Sequence, residues 1–574
     1  MTRLSLRSRL VLLLTVICIG AWASPTVSAQ PVNDPFFSDQ QYLQAVEVPA
    51  VWSITTGDSN QKIAIIGGGN VFPSHEDLGA KTTVRTQGHL EGLPGEPIPF
   101  DDQPSLGTVA GGMAAALTNN GLGVAGVNWN ASILSYNPAV LDFDPDLNVA
   151  SNIQVLDLGA VDESFDMARS DGADLIVAPL TVFSDADPGV TVETDLGEEP
   201  IEVLGVTIPA WVVGAGESIF GLIRDGLSFN SPWNDAHFAA RDAVATGHPL
   251  IAPAGNFKGS AYTFPASTAR NEIAISVGST NEEKIPSEFS GSSLSSSPLG
   301  ATVDVVAPGE NVKTTVNTGP SAYKTVSTTS ASAGLVAGVA SLLQSYDPAM
   351  APSDIRQILR RTAEDIPPQG FDAKTGFGFV NAKAAFDYVQ ERTITRGVVT
   401  NGTAVKVADD YQLHLISGPW SPLPAGPYLA SDVYKVTFTV NLPAGSEHDM
   451  WARVEYTNGW SFANPNNGDP YANVSIDLAS GTATITTYVY ENVSNTIGQV
   501  EDGLPVTASN AKVAYTIATK PGTPDLPPET PSNLVITNAG QINQNPQLDW
   551  DDNTESDLDH YTVYRCPSHF QTCT

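Results

Sequence analysis

Few residues of this chain are equipped for covalent chemistry. Its eight histidines are His75, His89, His237, His248, His414, His448, His560 and His569. The segment Thr328-Thr329-Ser330-Ala331 sets three hydroxyls at the head of an Ala-rich stretch. A serine hydroxyl becomes a nucleophile only when a neighbouring base takes its proton and an oriented carboxylate steadies the resulting imidazolium. The same hydroxyl at the start of a helix can instead serve as a cap for the helix, so both readings of Ser330 stand. Asn256, in Ala254-Gly255-Asn256, is an amide suited to satisfying backbone groups in a tight turn. Asp142, Asp144, Asp146 and Asn148 mimic the opening of an EF-hand loop, but the glycine and the distal glutamate of that loop are absent, which makes them a solvated acidic loop. Of three cysteines, Cys18 lies near the N-terminus, leaving Cys566 and Cys573 as the one candidate disulfide.

The formal net charge of −35 over 574 residues argues against nucleic acid or an anionic membrane as a partner. It suits divalent cations and a solvated extracellular surface. Arg3, Arg7 and Arg9, the apolar run Leu10 to Trp22, and Val27-Ser28-Ala29 have the layout of a secretory signal peptide over residues 1–29, with the mature chain starting near Gln30. The run is short, ends in small residues and is followed by no stop-transfer pattern. A membrane span and a lipid anchor at Cys18, which follows the bulky Ile17, are therefore the weaker readings. No later stretch approaches the roughly 20 apolar residues that cross a bilayer.

The elements that must position any site change character along the chain. From 31 to 392, β-branched runs alternate with Ala-rich helical patterns, as in Lys62 to Ile66, Thr108 to Leu117, Ile273 to Val277, Val303 to Val306 and Ala333 to Gln344. This alternation predicts an α/β domain with a mainly parallel sheet flanked by helices. From 395 to 520, apolar and polar residues alternate in Tyr434 to Val440, Ala472 to Ile476 and Ala483 to Val489, which predicts an all-β sandwich module. A Pro-rich linker follows over 521–530. The apolar run Ile208 to Leu222, inside an expanded stretch from Phe183 to Trp233, is expected to form a helix beside the site.

The order of short motifs carries a resemblance. Asn33-Asp34-Pro35, Val51-Trp52, Thr55-Thr56-Gly57, the strand ending at Gly67, Ser74-His75-Glu76-Asp77-Leu78, Asn119-Asn120, Ala254-Gly255-Asn256, Phe264-Pro265-Ala266, Phe289-Ser290, Ala307-Pro308-Gly309, Thr328-Thr329-Ser330 with Val336-Ala337-Gly338, and Gly376 to Ala382 follow one another as in subtilisin-like serine peptidases. Over residues 33 to 386 the chain resembles the subtilase family. Pro531 to Leu534, Gln547 to Trp550 and Tyr561 to Arg565 similarly resemble the first half of a fibronectin type III domain, so that 531–574 reads as a partial module.

The subtilase resemblance places the nucleophile at Ser330 and the oxyanion donor at Asn256. The family's aspartate falls on Gly67, in Gly67-Gly68-Gly69, and its histidine on Leu106, in Ser105-Leu106-Gly107-Thr108. Leucine can neither take a proton nor orient a base, and losing the histidine of such a triad costs on the order of a million-fold in turnover. The segment matching the family's substrate-pairing strand reads Val177-Ala178-Pro179-Leu180-Thr181, with a proline that has no N–H to donate. Asp77 and Asn120 match positions that hold calcium in many relatives. His75, near the lost aspartate in sequence, belongs to a loop present in active relatives too. Little chain separates the signal from Asn33, so no room is expected for the family's folding-assistant propeptide. The resulting expectation is an extracellular pseudoprotease that binds a protein or peptide ligand in the old cleft. The competing expectation is an active serine endopeptidase in which Ser330 uses a base foreign to the family.

Overall fold

The computed structural model describes residues 32–86, 89–90, 93–97, 105–141, 154–156, 158–183, 201–203, 206–208, 220–221, 232–256, 263–266, 273–290, 303–367, 369–372, 374–415, 426–455, 473–493, 509, 511–522, 535–537 and 547–549. The signal-like segment, the acidic run 142–148 and both late cysteines lie outside these residues.

Seven strands make the central sheet: β1 (Lys62–Ile66), β2 (Thr82–Thr86), β3 (Ser132–Tyr136), β4 (Leu175–Val177), β5 (Leu250–Pro253), β6 (Ala274–Thr280) and β7 (Val305–Pro308). Their order is β7-β6-β5-β4-β1-β3-β2, and every neighbouring pair is parallel. Side chains alternate across the sheet, as a strand's two-residue period demands. Ile63, Ile65, Leu175, Val177, Ile251 and Ile275 enter one apolar cluster, whereas Ala64, Ile66, Ile176, Leu250, Ala252 and Ala274 enter the other. Both faces are covered, which is why these strands read as continuous apolar runs.

Helix α1 (Leu106–Ala115) and α4 (Thr329–Tyr346) lie on the first face; α2 (Leu158–Ser170) and α3 (Pro232–Ala245) lie on the second. Small residues let α1 and α4 touch. A Cβ on Gly334 would sit 2.6 Å from the Ala110 carbonyl oxygen, and one on Gly338 would sit 2.9 Å from that of Ala114. Helices α5 (Pro352–Thr362) and α6 (Ala382–Gln390) complete the domain. The α/β expectation holds, with helix ends moved by a few residues.

The run Ile208 to Leu222, where a helix is expected, lies outside the described residues except at its ends. There, Val206–Ile208 pairs antiparallel with Ile201–Val203, and Phe220–Gly221 pairs parallel with Thr181–Phe183. Consecutive Val206, Thr207 and Ile208 favour the pleated backbone.

Beyond α6 the elements among the described residues are all strands, as the alternation predicted. Strands β8 (Thr393–Val399), β9 (Thr403–Leu415), β10 (Gly426–Asn441), β11 (Glu447–Glu455), β12 (Asn473–Asp477), β13 (Thr482–Val493) and β14 (Lys512–Lys520) form two antiparallel sheets, β8-β14-β11 and β9-β10-β13-β12. Val436, Phe438, Met450, Ala452, Ile485, Val513 and Ile517 close a core between them. Further on, Val535–Thr537 and Gln547–Asp549 pair antiparallel.

Candidate functional site

The site lies where the order of the parallel sheet reverses. From β1 the chain builds outward to β3 and β2, then returns to the other side to add β4, β5, β6 and β7. Crevices outside the carboxyl ends of strands at such a point are the usual ligand sites of α/β sheets. Three adjacent strands end there: β1 in Gly67-Gly68-Gly69, β4 in Ala178-Pro179-Leu180, and β5 in Ala254-Gly255-Asn256.

The first two ends pack together without any group able to move a proton. Gly67, Gly68 and Gly69 all have left-handed backbones, with φ of 85, 67 and 77°. That region costs residues with a Cβ roughly 1–2 kcal/mol each. A Cβ on Gly67 would meet Leu180 Cδ2 at 2.7 Å, and one on Gly68 would meet the Pro179 carbonyl oxygen at 2.5 Å and Leu106 Cβ at 2.9 Å. The Gly68 carbonyl accepts the Gly107 N–H at 2.8 Å, pinning this loop to the first turn of α1. Leu106 and Leu180 are each only 1 % exposed. Gly67 is thus closed in by Leu180, and Gly68 lies between the Pro179 carbonyl and the buried Leu106.

The third end engages the start of α4. Asn256 Oδ1 accepts from Thr329 N (2.8 Å) and Thr329 Oγ1 (2.9 Å), while its Nδ2 donates to Thr328 Oγ1 (3.0 Å). Thr328 Oγ1 also accepts the Ser330 N–H at 3.2 Å, so Thr328 is the side-chain cap of α4. This corrects the capping reading of Ser330, which is the second residue of the helix and 2 % exposed. Asn256 serves the head of this helix, with its amide already donating to a hydroxyl.

The histidines whose side chains are described are occupied elsewhere. His75 Nε2 lies 2.9 Å from the Ala322 carbonyl, and its Nδ1 accepts the Asp77 N–H at 3.1 Å. His248 Nδ1 lies 3.0 Å from the Ala243 carbonyl, and His448 Nε2 lies 2.7 Å from that of Pro443. The strand Thr181–Phe183, which leads away from Leu180, has both edges paired: Phe220–Gly221 on one and Thr263–Phe264 on the other.

Asp77 and Asn120 do meet. Asn120 Nδ2 donates to Asp77 Oδ1 at 2.8 Å, and Asp77 Oδ2 accepts from Val124 N and Tyr323 Oη, both at 2.9 Å. Burial raises the Asp77 carboxyl above its ordinary value, and these donors pull it back. Asp77 thus has three donors where a calcium ligand faces a cation. No group of three or more His, Cys, Asp or Glu side chains able to hold a metal occurs among the described residues. As bonded here, the pair does not fit calcium. Nearby, the buried Lys81 ammonium donates to the carbonyls of Ala115 (3.0 Å) and Trp129 (2.8 Å), and burial pulls its pKa from 10.5 to about 7.

Comparison with known proteins adds sequence evidence to this geometry. The chain is 32% identical over 359 residues to thermitase of Thermoactinomyces vulgaris, covering 62% of this chain and 99% of that protein. It is 27% identical over 356 residues to the halolysin-like extracellular serine protease Nep of Natrialba magadii, covering 62% of this chain and 52% of that one. A solved structure, of proteases from Pseudoalteromonas arctica PAMC 21717, aligns with a TM-score of 0.43 and 21% identity over 62% of this chain and 98% of its own. The description of the Subtilase family matches residues 58–378, more than half the chain. With that span and the similarity to thermitase, the chain belongs to the subtilase family.

Proposed function

We propose that this protein is a secreted, non-catalytic member of the subtilase family that acts by binding. The observation that carries the reading is the closed contact of Leu106 with Gly68 beside Leu180 and Gly67, which leaves neither a base nor an orienting carboxylate at the family's positions. Without them the hydroxyl of Ser330 stays a weak nucleophile.

Secretion is supported by the signal-like N-terminus and by relatives named as extracellular proteases. Among the described residues no helix is long and apolar enough to cross a membrane, which is compatible with that reading. The ligand we propose is a protein or peptide at the old cleft. It would bind without adding a strand to Thr181–Phe183, whose two edges the chain itself pairs.

The competing reading, an active serine endopeptidase, draws on the names of its relatives, which are those of proteases. A fluorophosphonate probe separates the two. We expect no labelling of the purified protein; labelling that disappears in Ser330→Ala would overturn the binding reading.

A further inference from the structure

Strands β11 and β14 carry buried residues on both of their faces, which a sandwich module on a tether has no reason to show. Along β11, Met450 and Ala452 point into the core shared with the second sheet, whereas Trp451 between them enters the apolar cluster of the subtilase domain. Along β14, Val513 and Ile517 point inward, and Ala518 joins Trp451 on the other side. Trp451 is 4 % exposed and Ala518 fully buried. Strands of antiparallel modules commonly alternate apolar and solvated positions, and these do not.

The polar partner of this face is Asp354, on the first turn of α5 and fully buried. Its Oδ1 accepts from Trp451 Nε1 at 2.9 Å and from Thr516 Oγ1 at 2.7 Å. Its Oδ2 accepts from Arg396 Nε at 2.6 Å and from Ala351 N at 3.1 Å. Arg396 also reaches Asp347 at 2.9 Å. At the rim, Asp449 accepts from Arg361 Nη1 at 3.0 Å and from Tyr388 Oη at 2.8 Å, and the Arg361 guanidinium lies 5.6 Å from the Trp451 ring centroid. Three residues of the β domain, on three strands, thus converge on one carboxylate of the subtilase domain. A buried charge with such partners is costly to expose and costly to leave unpaired.

We infer that the 395–520 domain is an obligate structural partner of the subtilase domain, docked on α5 and α6, and that the two unfold as one cooperative unit. The face of Trp451, Thr516 and Ala518 is the interaction surface, and the partner it fits is the helix pair carrying Asp354 and Tyr388. Nothing in this inference depends on whether Ser330 is reactive.

Native-state hydrogen exchange on the intact secreted protein tests it. The slowest amides of β11 and β14 should exchange through the same opening as those of α4, with equal protection. Asp354→Ala should lower protection in both domains together, on the order of a hundred-fold, as loss of a buried ionic partner does. Asp354→Asn, which keeps an acceptor for Trp451 and Thr516 but removes the charge facing Arg396, should lower both by less and serves if the alanine variant does not fold. Amides of β11 and β14 that open more often than those of α4 in the unaltered protein would overturn the inference, as would a variant that loosens one domain alone.

Discussion

Leu180 stands in the space that a side chain on Gly67 would need: a Cβ there would lie 2.7 Å from Leu180 Cδ2 and 2.8 Å from Leu180 Cβ. Gly67 also has a φ of 85°, which only glycine adopts without strain. A carboxylate at this position is therefore excluded by shape.

Restoring both residues on paper should accordingly fail in practice. The double variant Gly67→Asp with Leu106→His is expected to gain no hydrolytic activity. It should lose about 3 kcal/mol or more of stability, from overpacking of roughly 1–3 kcal/mol and backbone strain of similar size. Adding Leu180→Ala should recover part of that loss. Thermal melts of the three proteins, with a peptidase assay alongside, check the order.

Thr328→Ala should destabilise α4 by about 1 kcal/mol through loss of its cap. Asn256→Ala should cost at least as much, because the buried Thr329 N–H loses the acceptor that Oδ1 provides. Urea titrations of the two variants and of their double variant measure both, and a double-variant cost below the sum of the singles would register their shared contact.

Lys81 supplies a pH dependence whose sign is fixed by burial. Its folded pKa, about 7, lies below the unfolded 10.5, so the folded state releases this proton first. Stability then rises as pH increases from about 7 toward 10.5, and this contribution is constant below 7. Relative to the unaltered protein, Lys81→Met should show a smaller gain between neutral and alkaline pH. Denaturation curves near the two ends of that window decide it, and identical slopes would count against the assignment.

Chelation tests the hydrogen-bonded form of the Asp77 loop. With Asp77 held by Asn120, Val124 and Tyr323, a chelator should leave the melting temperature unchanged. Asn120→Ala should lower stability by roughly 1 kcal/mol with or without it. A melting temperature that falls on chelation and returns with added calcium would show that the cation replaces these donors.

The sheet and the family were legible because both rest on local patterns: β-branched runs such as Lys62 to Ile66, Ala-rich helices, and short motifs in a fixed order. The contact of Leu180 with Gly67 was not legible, since the two lie more than a hundred residues apart in sequence and meet only through the pairing of β1 with β4. The bond of Thr328 to Asn256 likewise depends on the meeting of β5 with the head of α4. The docking of Trp451 on Asp354 had no local signature at all.

The three left-handed glycines at 67, 68 and 69 also bear on how this site can change over generations. Each single change around it is unfavourable alone: a side chain at 67 collides with Leu180, one at 68 collides with the Pro179 carbonyl, and a smaller residue at 180 opens a void. Selection acting on one substitution at a time meets a loss at every exit. The loop works as a ratchet against single substitutions.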